Sequence, residues 1–102
     1  MKLRAGLRLR STVCATEVVV VRAPAGDLDL RCGGRPLMPI DTDAPSGETM
    51  DPAQQGGTQL GKRYASEAFG VEVLCTKPGT GSLSVGDDPL PLKEAKPLPS
   101  SD

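Results

Sequence analysis

Leu3, Leu7 and Leu9 interleave with Arg4, Arg8 and Arg10 at the start of the chain. A period of two sends successive side chains to opposite faces, so Leu7-Arg8-Leu9-Arg10 predicts a half-buried strand with its arginines outward. A valine run, Val18 to Val21, predicts a second strand, and a Gly/Pro turn follows it. No segment carries convincing 3.6-residue periodicity. The best helical turn, Lys62 to Phe69, is short, and the chain as a whole reads as mostly β.

Two stretches superpose without a gap: Thr16 to Leu30 on Val71 to Val85. Glu, Val, a basic residue, Gly and Leu fall in step, and after a two-residue deletion Pro36-Leu37 meets Pro89-Leu90. Each copy reads as strand, Gly/Pro turn, strand. A lone hairpin is marginal in water, and packing two related ones buries a shared apolar face. The expected architecture is therefore all-β, a small pseudo-symmetric β-sandwich or barrel built from two related hairpins, with an irregular linker and a Pro-rich tail.

Composition divides the chain further. Residues 1–40 form one β lobe and residues 61–95 a second. Between them, residues 41–60 carry four acids and no base, with little apolar content, and predict an acidic flexible linker. Residues 96–102 are a Pro/Ser tail. Pro-Leu alternation from Pro89 to Pro99 favours polyproline II, whose leucines either pack along the chain's own domain or suit a partner's groove; on the second reading Pro89, Leu90, Leu92 and Leu98 are candidate partner-binding residues.

Within 102 residues, aromatic content is 2%, which deprives the chain of stacking platforms for single-stranded nucleic acid. The absence of His removes Ser-His-Asp and Cys-His catalysis and every His-containing zinc site. A net charge of -1 argues against polyanion binding, and the arginine face of the first strand reads as edge protection. Asn is absent and Ile40 is the sole Ile, a bias expected of a GC-rich bacterial genome. With no long apolar run, the expectation is a cytoplasmic protein that binds neither membrane nor nucleic acid. Gly56 to Lys62 has the frame of a phosphate-binding loop, but Arg63 follows where Ser or Thr would hold Mg²⁺. The pairs Asp87-Asp88 and Asp41/Asp43 sit beside Pro or Gly and read as solvated turn acids.

The most specific signal lies around two cysteines. Ser11-Thr12-Val13-Cys14-Ala15 precedes the valine strand, and Leu28-Asp29-Leu30-Arg31-Cys32-Gly33-Gly34-Arg35-Pro36-Leu37 follows it. Over residues 9–40 this resembles the desulforedoxin-like domain, including the N-terminal domain of desulfoferrodoxin. The resemblance implies a rubredoxin-type tetrahedron of four thiolates around one iron. Cys14 matches the second cysteine and Cys32 the fourth, while Ser11 and Arg31 stand at the other two positions. A tetrahedral S4 site needs four soft ligands, so the resemblance implies a scaffold with a degenerate metal site. Both knuckles converge in that family, making Cys14 and Cys32 neighbours. Two reduced thiols, a disulfide, or an iron or zinc site shared between two chains are then the alternatives. Cys75 aligns with Val20 and reads as a small core hydrophobe.

The sequence thus predicts a non-catalytic accessory or interaction subunit without a cofactor. Its partner would be a larger enzyme subunit or a second copy of itself. The alternative is a rubredoxin-like metal-binding or electron-transfer module that uses Cys14 and Cys32 and is completed by dimerisation.

Overall fold

Alternating burial along the early strands and near-continuous burial along two later ones build the core. The computed structural model describes residues 2–41 and 49–93. In β1 (Arg8–Arg10) Leu9 is fully buried and Arg8 exposed, as alternation requires. β2 (Glu17–Arg22) turns Val18 and Val20 inward, leaving Val19 half-buried and Val21 exposed. β3 (Leu30–Cys32) buries Leu30 and Cys32 and sends Arg31 outward. Four further strands are short: β4 (Arg35–Pro36), β5 (Met38–Pro39), β6 (Arg63–Ser66) and, near the end, β9 (Asp88–Pro89). β7 (Val71–Lys77) buries Val71, Val73 and Cys75, and β8 (Leu83–Val85) buries Leu83 and Val85. Lys62 to Phe69, the best helical candidate, forms β6 and a turn instead. Pairing with β7 satisfies its backbone, through Tyr64 opposite Val73 and Ala65 opposite Glu72.

The strands make two antiparallel sheets, in the orders β5-β1-β2-β7-β6 and β4-β3-β8-β9. The protein is a small β-sandwich, and the sheets do not close into a barrel. The strands expected to form hairpins, β2 with β3 and β7 with β8, lie in different sheets and do not pair, since each Gly/Pro turn carries the chain from one sheet to the other. Both central pairs instead join the first half of the chain to the second. Val19 lies opposite Leu74 and Val20 opposite Val73, while Leu30 lies opposite Val85 and Arg31 opposite Ser84. Residues 1–40 and 61–93 therefore contribute to both sheets and share one core.

Matching hydrogen bonds recur in the two halves. Gly6 N donates to Val20 O, and Gly61 N to Cys75 O. Gly33 N donates to Ser82 O, and Gly86 N to Asp29 O. Leu37 N donates to Leu30 O, and Leu90 N to Leu83 O; Ile40 N donates to Arg8 O, and Lys93 N to Arg63 O. Gly33 and Gly86 both have positive φ (66° and 58°), as the tight turns after β3 and β8 demand.

Two segments depart from expectation. Residues 49–60 are docked rather than loose. Asp51 N donates to Gly33 O, Ser82 N to Gln54 O and Thr58 N to Gly79 O, and a 3₁₀ turn (Pro52–Gln54) is capped by the Asp51 side chain. Those bonds give the polar backbone partners that a flexible linker would find in water. Residues 90–93 are also no free arm. Leu90 is buried, Leu92 bridges to Tyr64, and Lys93 Nζ lies 2.7 Å from Glu72 Oε1. Among the described residues no helix is long and apolar enough to cross a membrane.

Candidate functional site

Ser11 organises the loop that joins β1 to β2. Its backbone N–H donates to Thr16 O, closing the turn, and its Oγ accepts from Val13 N at 3.1 Å and Cys14 N at 3.2 Å. A short hydroxyl side chain folding back on the next N–H groups is the local bond that favours a turn here. It fixes Cys14 over the end of β3, where Cys32 sits fully buried before the Gly33-Gly34 turn. The two Sγ atoms are 3.8 Å apart.

Three more segments complete the corner. Cys14 Sγ lies 3.1 Å from Thr16 Oγ1, which is 2.9 Å from Thr58 Oγ1. Thr58 in turn accepts from Gly79 N at 2.9 Å. Gly79 and Gly81 bring the β7–β8 loop against both sulfurs. A Cβ on Gly79 would stand 2.9 Å from Cys14 Sγ, and one on Gly81 would stand 3.0 Å from Cys32 Sγ, closer than side-chain packing allows.

The two thiols are electrostatically unlike. Burial pushes the Cys14 pKa up, but the Ser11 and Thr16 hydroxyls and the backbone N–H groups of Thr16 and Gly81 outweigh it and bring it down to about 7. Burial, followed by the nearby Cys14 charge, pushes Cys32 up to about 12. Near neutral pH the pair therefore holds a half-exposed thiolate against a buried thiol, the arrangement that makes one sulfur nucleophilic and keeps the other protonated.

Arg31 lies outside this corner. Its side chain points away from Cys32, pairs with Asp29 Oδ2 at 2.9 Å and reaches Gly34 O at 3.4 Å. Cys75 is buried in the core with its thiol on Lys77 O at 3.2 Å. An S4 metal site does not fit the chain alone. Cys14 and Cys32 are two soft donors, the neighbouring side-chain donors are the hydroxyls of Ser11, Thr16 and Thr58, and no group of three or more Cys, Asp or Glu forms among the described residues.

Of the tail candidates, Pro89 is exposed in β9, whereas Leu90 and Leu92 spend their apolar surface on the protein's own core. Leu98 lies outside the described residues, as does Asp43; Asp41, Asp87 and Asp88 are exposed. The Gly56-to-Lys62 frame runs into strand β6 rather than a helix N-terminus, so it makes no phosphate cradle.

Compared with protein-family models, curated proteins and solved structures, the chain matches none.

A second feature lies on the outer face of the five-stranded sheet. A row of neighbours runs Arg8, Val19, Leu74, Arg63 across β1, β2, β7 and β6. Val19 and Leu74 are half-buried at its centre, and Val21 and Ile40 are exposed beside them at 40% and 37%. Arginines thus flank an apolar centre on both sides, Arg63 being paired with Glu72 Oε2 at 3.4 Å. β1 lies between β5 and β2, so its arginines do not guard a sheet edge as expected. Sequence reasoning missed this face because Val19 and Leu74 sit in apolar runs, where nothing local marks which side chains face outward. It also missed Thr16, Thr58, Gly79 and Gly81. The Gly-Thr and Gly-Thr-Gly spacings of residues 57–58 and 79–81 were the only available signal for them.

Proposed function

We propose that this chain is a non-catalytic interaction module, an accessory subunit of a larger bacterial protein assembly that docks through the outer face of the five-stranded sheet. The observation that carries the reading is the Val19–Leu74 stripe with Val21 and Ile40 beside it and Arg8 and Arg63 at its ends. Apolar centres rimmed by arginine have the composition of docking patches. Strand addition is a poor alternative, because proline occupies the edge strands β4, β5 and β9 as Pro36, Pro39 and Pro89, and residues 91–93 cover the fourth edge, β6, with Ala65 N donating to Pro91 O and Lys93 N to Arg63 O. A residue without an N–H cannot donate to an added strand. The matching hydrogen bonds of the two halves support reading the module as a duplicated unit. The test is size-exclusion chromatography with light scattering on the untagged native protein, alone and from its own cell extract. The expected result is a stable complex, with a partner or a second copy, that is lost in a Val21→Glu, Leu74→Glu variant of unchanged thermal melt. A wild-type protein that runs only as a free monomer overturns the reading.

A second reading has one observation in its favour. In a tetrahedron with metal–sulfur bonds of ~2.3 Å the sulfurs stand about 3.8 Å apart, and Cys14 and Cys32 are 3.8 Å apart. A metal or electron-transfer module would need the same pair from a second copy. Stoichiometric iron or zinc in freshly purified dimer, lost in Cys32→Ala, would put this reading first.

A further inference from the structure

We propose that Cys14 and Cys32 form a reversible redox site, closed to an intramolecular disulfide by hydroperoxides. Three observations converge on it. The sulfurs are already 3.8 Å apart, and a disulfide requires ~2.05 Å, so closure needs a shift of under about 2 Å. Cys14 stands on the β1–β2 loop, while Cys32 is fixed at the end of a paired strand. Cys14, outside the sheet ladder, is thus the partner that can take up the shift.

Access is the second observation. Cys14 is half-buried and reachable, whereas Cys32 is fully buried behind it. A small oxidant meets Cys14 first and finds Cys32 next in line. The third is the comparison with the other half. Aligned by the matching hydrogen bonds, Phe69 on the β6–β7 loop stands where Cys14 does, Val71 at the start of β7 where Thr16 does, and Val85 at the end of β8 where Cys32 does. Val71 and Val85 are in the core, and Phe69 is half-buried against it. The fold makes this corner from hydrocarbon in one half, so packing alone does not require two thiols in the other.

The chemistry balances within the pair and one peroxide. The Cys14 sulfur attacks the hydroperoxide, the O–O bond breaks, and the departing oxygen leaves as an alcohol or water, giving Cys14 sulfenic acid. The Cys32 thiol then attacks the Cys14 sulfur. The S–O bond breaks, and the hydroxyl leaves with the Cys32 proton as water. Two thiols lose two electrons in all, and the peroxide gains them. A small dithiol reverses the step by exchange. Cys75 takes no part, since its thiol is held in the core against Lys77 O.

The experiment titrates the reduced full-length protein with equimolar hydrogen peroxide and follows free thiols and intact mass. The expected result is loss of two of the three thiols, with peptide mapping placing the bond between Cys14 and Cys32 and dithiothreitol restoring both. Cys32→Ser should accumulate a sulfenic acid at Cys14 that dimedone captures, and Cys14→Ser should leave Cys32 unreacted. Mapping of the wild type needs no variant to fold. Three thiols persisting in the native protein, a bond to Cys75, or a bond only between chains overturns the proposal.

Discussion

At the scale of single residues, Ser11 acts on the thiol pair in two ways. Its hydroxyl anchors the Cys14 loop and helps lower the Cys14 pKa to about 7. The rate of Cys14 alkylation by iodoacetamide should therefore rise with a midpoint near pH 7, and Ser11→Ala should move that midpoint up toward the ordinary thiol value of 9.0. The same shifts set a stability profile. Cys14 has a folded pKa below its unfolded one, so its contribution is present in full above about pH 9 and is lost as pH falls through about 7. Cys32 is raised instead, so its contribution is present in full below about 9 and is lost as pH rises toward about 12. Thermal melts of wild type against Cys14→Ser should diverge between pH 7 and 9 with the wild type gaining. Burial also sets the cost of substitution. Cys32→Ser and Cys75→Ser each place a hydroxyl in a fully buried site and should cost about 1–3 kcal/mol, with no chelator effect on the wild-type melt. A melt that collapses on adding chelator would count for the metal reading. Cys14 and Cys32 stood out in the sequence as a possible pair, and their sulfurs are 3.8 Å apart. Thr58 did not, because it meets Thr16 from 42 positions away and nothing local marks such a contact.

At the scale of elements, alternation made the long strands readable and left the short ones invisible. β1 and β2 announce themselves through Leu-Arg and Val patterns. β4, β5 and β9 are two residues each and exist only as pairings with β3, β1 and β8. Their prolines argue against a strand when read alone, yet make sense at a sheet edge. Pro36→Thr with Pro89→Thr should restore two backbone donors to the edges of the four-stranded sheet. The expected outcome is concentration-dependent self-association, seen as a rise in light scattering, with far-UV circular dichroism unchanged. For the Pro-Leu segment, packing on the chain's own domain holds at Leu90 and Leu92: polyproline bias describes an isolated segment, while burial of Leu90 and the Lys93–Glu72 ion pair decide where residues 90–93 go. Lys93 is the chief cause of the lowered Glu72 pKa, with burial opposing it.

For the whole molecule, the sequence pattern was enough for an all-β fold. It did not separate sandwich from barrel, since that depends on whether the outer strands meet, which no local pattern encodes. Nor did composition reveal that the two halves of the chain are interlaced. Because β2 pairs with β7 and β3 with β8, each half supplies the hydrogen-bonding edge the other lacks. Neither half is then a foldable unit. Separate peptides cut between residues 41 and 49 should each show random-coil circular dichroism, and mixing them should restore the native spectrum as a non-covalent heterodimer. A half that folds by itself would break the argument. The same interlacing gives every chain a ready substitute for its own second half, namely that of a neighbour. At high concentration during refolding, two chains can therefore exchange halves and close into a swapped pair with both sandwiches intact.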